Sequence, residues 1–154
     1  MELTGNVPSQ NTKEQLWAAI FNTEAWKQGI EAERYEQVGE GLYEMEVNAD
    51  IGPIKGKQTA KIQFTDMHEP DSCDFKIEHS LVKSASGNFE LKDPTEVTPD
   101  GENAVWPTET RTVLVYKLNA DMGNPIFNAV LDGFKGKIKE GFEELLGRVE
   151  ANAH

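Results

Sequence analysis

The chain has 154 residues, 38% of them hydrophobic, with 27 acidic against 15 basic side chains and a formal net charge of -12. That length is one domain by the usual size range, able to bury about two thirds of the surface its unfolded chain exposes. The acidic balance excludes phosphate-backbone binding, so no nucleic-acid partner is expected, and it opposes adhesion to an anionic membrane by charge alone.

Residues 2–8 read as a short strand. Asn11 or Thr12 opens a helix, with Thr12 and Gln15 at the spacing of a capping box. Leu16, Trp17, Ile20 and Phe21 form its apolar stripe, and Thr23 is the cap expected for a second short helix through Trp26 to Gly29. The period then changes to two. Residues 33–38 are a strand closed by the tight turn Gly39-Glu40-Gly41. Residues 42–51 alternate, with Tyr43, Met45, Val47, Ala49 and Ile51 on one face, and Gly52-Pro53 marks the next turn. Residues 54–66 carry Ile54, Ala60, Ile62 and Phe64 inward, with a bend or bulge expected at Gly56. After the loop His68-Glu69-Pro70-Asp71, residues 73–81 alternate again through Cys73, Phe75, Ile77, His79 and Leu81. Ser84 to Gly87 reads as a turn before a strand at 88–92, and Asp93 to Thr108 as a loop. Residues 110–120 form the last strand, with Leu114, Tyr116 and Leu118 aligned.

Asn124-Pro125 then caps and starts one long helix. Phe127, Val130, Leu131, Phe134, Ile138, Phe142, Leu145 and Val149 recur at three- and four-residue steps along it. Gly133, Gly136, Gly141 and Gly147 interrupt the helix, each at about 0.8–1.0 kcal/mol relative to alanine. Two explanations offset that cost: close packing of the helix on the sheet, or a helix soft enough to open a cavity.

Strands joined by short turns, each with one polar face, imply an antiparallel sheet wetted on one side. The expected fold class is α+β: a curved antiparallel sheet wrapped around a long C-terminal helix, with two short helices after the first strand. By strand and helix parity the candidate ligand-binding residues are Met45, Val47, Gln58, Ile62, Phe64, His79, Leu81, Phe89, Thr112, Leu114, Tyr116, Phe127, Leu131 and Phe134. They combine an apolar wall with a few placed polar groups, the usual pattern of a small-molecule site. His79 has two readings: a core histidine hydrogen-bonded to backbone, or a polar contact for the head of an apolar ligand.

No catalytic residues, metal ligands or cofactor are expected. The three histidines lack metal-site spacing. The single cysteine, Cys73, lies six residues from His79, roughly 20 Å along a strand, too far for a catalytic couple. It makes no intramolecular disulfide, and no secretory leader or membrane-spanning run is visible. A cytoplasmic location is therefore expected.

The segment Val38-Gly39-Glu40-Gly41-Leu42-Tyr43-Glu44, followed by Ile51-Gly52-Pro53-Ile54-Lys55-Gly56, resembles the CoxG-like family associated with carbon monoxide dehydrogenase. That family belongs to the START-like, or SRPBCC, superfamily. Met1-Glu2-Leu3-Thr4-Gly5, Glu14-Gln15-Leu16-Trp17 and Thr112-Val113-Leu114-Val115-Tyr116 extend the likeness over nearly the whole chain. The chain departs from it at Ile30-Glu31-Ala32-Glu33, where the family often has Pro-Gly, and in the length of the loop from Asp93 to Thr108. The resemblance implies a helix-grip (START/Bet v 1-like) fold with an apolar cavity. It implies a carrier of a hydrophobic small molecule, a lipid or quinone. The alternative is an accessory protein that binds or recruits a molybdenum hydroxylase complex of the carbon monoxide dehydrogenase type, with membrane contact at most peripheral. A third reading, polyketide cyclase-like catalysis, wants a catalytic pair that the inventory of residues does not supply.

Overall fold

The computed structural model describes residues 1–51, 54–80, 82–101 and 104–152, the side chains of 49–51 and 54 excepted. The expected turn at Gly52-Pro53 and the candidate Leu81 lie outside the described residues.

Strand β1 (Glu2–Ser9) is followed by helices α1 (Lys13–Ile20) and α2 (Thr23–Gly29). Six more strands follow: β2 (Arg34–Gly39), β3 (Leu42–Ile51), β4 (Ile54–His68), β5 (Ser72–His79), β6 (Val82–Lys92) and β7 (Thr112–Asp121). Helices α3 (Pro125–Gly133) and α4 (Lys135–Asn152) complete the order. The strands form one antiparallel sheet in the order β1-β7-β6-β5-β4-β3-β2, so β1 and β2 are its edges.

Local signals account for most boundaries. Thr12 caps α1 in a capping box, accepting from the Gln15 N–H while the Gln15 side chain accepts from Thr12 N–H. Asn22, not Thr23, caps α2, its Oδ1 accepting from Ala25 N–H at 3.0 Å. An asparagine directly before the helix takes the capping position ahead of the threonine after it. Gly41 turns the β2–β3 hairpin at φ +64, a conformation glycine adopts at little cost.

Two further sequence expectations are corrected. Ser84 to Gly87 is not a turn; β6 runs through it unbroken. A Cβ at Gly87 would lie 2.1 Å from the Lys117 carbonyl oxygen and 2.8 Å from Phe75 Cζ. The small residues are there because neighbouring strands come too close for side chains. The expected single terminal helix is also two, interrupted at Phe134, whose N–H bonds back to Leu131 O at 3.0 Å.

The core follows the inner face of the sheet. Rings in contact run from Trp26 through Tyr35, Tyr43 and Phe64 to Phe21, Trp17 and Phe89. Cys73 is buried, and burial pushes its thiol up to about 11, the signature of an inert thiol. On the outer face Arg34 is paired with Glu36, Glu44 and Glu46, and Lys57 joins Glu46 at 2.9 Å to Glu33 at 3.3 Å.

Helix α4 is held at its C-terminal end. Val149, 1% exposed, lies against Gly29 of α2, where a Cβ would fall 2.9 Å from Val149 Cγ2. Glu150 accepts hydrogen bonds from the Ser9 hydroxyl and from Asn11 Nδ2. By contrast, a Cβ at Gly133, Gly136, Gly141 or Gly147 would meet nothing within 4 Å. Close packing does not explain these glycines.

Two outcomes follow. Gly136→Ala and Gly141→Ala each raise stability by about 0.8–1.0 kcal/mol in denaturant titrations, whereas Gly29→Ala lowers it by roughly 1–3 kcal/mol through overpacking on Val149. Burial, and then Tyr43, hold the Tyr35 phenol above its ordinary range. Burial, and then Glu143, do the same for Tyr116. Unfolded phenols titrate near 10, so the stability linked to both rings is complete below about pH 10 and is lost as pH rises beyond it. Urea midpoints fall between about pH 9 and about pH 11, and Tyr35→Phe flattens that fall.

Candidate functional site

Between the concave face of the sheet and α4 lies a cavity of about 260 Å³. The sheet supplies Met45, Ile62, Phe64, Phe75, Ile77, Phe89, Leu114, Tyr116 and Leu118. Ile20, Trp26 and Ile30 close it from the side of the short helices, and Phe142, Leu145 and Leu146 roof it from α4. The register explains why these meet. Met45, Ala60 and His79 are aligned across β3, β4 and β5, as are Ile62 with Ile77 and Phe64 with Phe75. Phe89 pairs with Tyr116 and Leu91 with Leu114 across β6 and β7. Period-two alternation then puts every one of them on the same face.

The polar atoms of the lining residues are turned away and satisfied. The Trp26 indole N–H donates to Ile20 O. Tyr116 passes over Gly5 of β1, where a Cβ would lie 2.5 Å from the phenol oxygen, and its hydroxyl donates to Glu143 Oε1 on α4 at 3.1 Å. Gly5 is therefore the notch through which the Tyr116 hydroxyl leaves the cavity. The ring itself packs edge-on against Phe142, with centroids 4.9 Å apart. The space that remains offers a ligand dispersion and desolvation, and no hydrogen bond.

Of the residues named from the sequence, the fold brings Met45, Ile62, Phe64, Phe89, Leu114 and Tyr116 together around this cavity. Val47, Gln58, His79, Thr112, Leu131 and Phe134 are not in its lining. Gln58 and His79 pair with each other, His79 Nε2 lying 2.6 Å from Gln58 Oε1, beyond the cavity at the far end of β4 and β5. Thr112 is fully buried and donates to Asn11 O at 2.7 Å, a structural bond between β7 and the start of α1. Leu131 is the one buried residue of α3. Phe127 is not in the lining either, and is 50% exposed. The break at Phe134 separates it from the helix that roofs the cavity. The roof residues Phe142 and Leu145 stand on the same apolar stripe, one helix further on. Phe75, Ile77 and Leu118 stand on the same strand faces as the residues named from the sequence.

No helix among the described residues is long and apolar enough to cross a membrane, and among them no three His, Cys, Asp or Glu side chains converge as a metal centre requires.

No protein-family model matches the chain, and neither does any curated protein. Solved structures do. A conserved protein from Geobacillus kaustophilus superposes with a TM-score of 0.70 at 19% identity, over 99% of this chain and 93% of that one. The protein designated Ara h 8.0201 superposes at 0.64 and 14% identity, over 97% of each chain. An aromatase/cyclase from Streptomyces superposes at 0.59 and 12% identity, over 99% of this chain and 93% of that one. At these identities the likeness is one of architecture, and with the curved seven-stranded sheet and C-terminal helices it establishes that the chain adopts the helix-grip, Bet v 1-like fold.

Proposed function

We propose that this protein binds and carries a hydrophobic small molecule, a lipid or quinone, within the cavity under α4. The observation that carries the reading is the chemistry of the wall. Every lining side chain is apolar or turns its polar atom outward into a bond of its own, as Trp26 and Tyr116 do. An apolar site of this kind is filled by excluding water. The resemblance to the CoxG-like family supports the same reading. A cytoplasmic carrier is the form we propose.

The second reading, an accessory protein for a molybdenum hydroxylase complex, rests on the resemblance of the hairpin around Gly39-Glu40-Gly41. Glu36, Gln37 and Glu40 are exposed there. That reading requires a complex whose affinity falls with salt.

Native mass spectrometry of freshly purified protein, with identification of any released small molecule, tests the carrier reading. An apolar ligand at a free concentration of about 100 times its Kd raises stability by about 2.7 kcal/mol, visible as a thermal shift. Leu145→Trp fills the cavity from its roof and abolishes both the bound mass and the shift, while far-UV circular dichroism is unchanged. A bare mass, with no shift from quinones or fatty acids, sinks the reading.

A further inference from the structure

The cavity under α4 is small. Its volume is about 260 Å³, whereas sites for drug-sized ligands run from about 300 to about 1,000 Å³. An apolar cavity of about 150 Å³ holds one benzene. By proportion this one holds roughly ten carbon atoms.

One side chain outside the lining limits that volume. Phe21 closes α1 and packs against the core. Its ring centroid lies 5.0 Å from that of Trp17, 4.9 Å from Phe64 and 6.5 Å from Phe89. Phe64 and Phe89 line the cavity and Phe21 does not. The Phe21 ring therefore stands directly behind that stretch of wall. It occupies space between α1 and the sheet that a smaller residue would leave to the cavity.

The wall also selects by chemistry. No polar atom of the described lining faces the space. Trp26 and Tyr116 direct their donors to Ile20 O and Glu143. A hydroxyl or carbonyl carried into the cavity gives up its bonds to water and finds none in return. Rings surround the space instead: Trp26 from α2, Phe64, Phe75, Phe89 and Tyr116 from the sheet, and Phe142 from α4. An aromatic guest gains from edge and offset contacts with such a wall beyond the area it buries. A rigid guest also has little internal freedom to lose, unlike an alkyl chain.

We infer that the cavity recognises a bare, compact aromatic hydrocarbon skeleton of about ten carbons, and that Phe21 sets its upper size. A polar headgroup takes no part in the recognition and stays outside the wall. The inference rests on the carrier reading and narrows it: of a larger ligand, only a hydrocarbon part of this size is held.

The test is equilibrium dialysis of the full chain against naphthalene, 1-naphthol and phenanthrene, counting as cavity binding only what Leu145→Trp removes. Naphthalene matches the capacity, 1-naphthol adds a hydroxyl to it, and phenanthrene adds a further ring. Naphthalene is expected to bind and 1-naphthol to bind about tenfold or more weakly. Phenanthrene is excluded until Phe21→Leu makes room for it. Circular dichroism verifies that Phe21→Leu is folded; if it is not, the guests decide on the unaltered chain alone. The inference is overturned by 1-naphthol or phenanthrene held by the unaltered chain as tightly as naphthalene, or by a folded Phe21→Leu with the same size limit. Palmitate is dialysed in parallel. Palmitate bound without naphthalene overturns the inference and leaves the carrier reading standing; no guest bound at all overturns both.

Discussion

The contact of Val149 with Gly29 is the constraint on which the rest of the architecture depends. A β-branched side chain seated where a second helix has no Cβ brings α4 and α2 closer than a side chain at position 29 would allow. Glu150, one residue on, accepts from Ser9 and Asn11 and ties the same end of α4 to β1 and the start of α1. Farther along, α4 meets the sheet through Tyr116, whose ring packs on Phe142 and whose hydroxyl donates to Glu143, while Gly136 and Gly141 face open space. The helix is therefore clamped against α2 at its end and rests over the sheet on long side chains farther along. The cavity is the space left between those side chains and the strands.

A gap of that kind persists only if its walls have no polar group in want of a partner. Tyr116 shows how the fold meets the condition. A phenol on the inner face would ordinarily present its hydroxyl to the cavity. Gly5 opposite it on β1 opens a path outward, and Glu143 on α4 accepts the hydrogen bond there. One missing side chain on an edge strand thus converts a polar residue into part of an apolar wall. Trp26 achieves the same by bonding to the carbonyl of Ile20 at the end of α1.

Alternation and capping make most of this legible in the sequence. Tyr43, Met45, Ile62, Phe64, Leu114 and Tyr116 announce their face because a period of two has no competing explanation in a half-wetted sheet. The capping box at Thr12 is legible for the same reason, since its two bonds are local. What is not legible depends on contacts distant in sequence. Ser84-Ala85-Ser86-Gly87 has the composition of a turn, and only the approach of Lys117 and Phe75 makes small residues a requirement of a strand. The stripe from Phe127 to Val149 shows no fault at Phe134, so periodicity alone groups Phe127 with the residues that roof the cavity. Its exposure follows from where α4 is clamped, at the opposite end of that stripe. Parity puts Gln58 and His79 on the cavity-facing side, and their place at the far end of β4 and β5 takes them out of the wall.

The open sheet has a consequence for crowded solutions. It ends in two strand edges, β1 and β2, and an edge is a template on which another chain can add a strand. On β2, Glu36 and Gln37 are exposed and Arg34 is already committed to three carboxylates. On β1, Pro8 has no backbone N–H to offer and Glu2 stands exposed at the strand's start. An incoming strand would have to strip water from charge on one side and accept a missing donor on the other. The acidic excess of the chain also makes fibril growth along this sheet unrewarding.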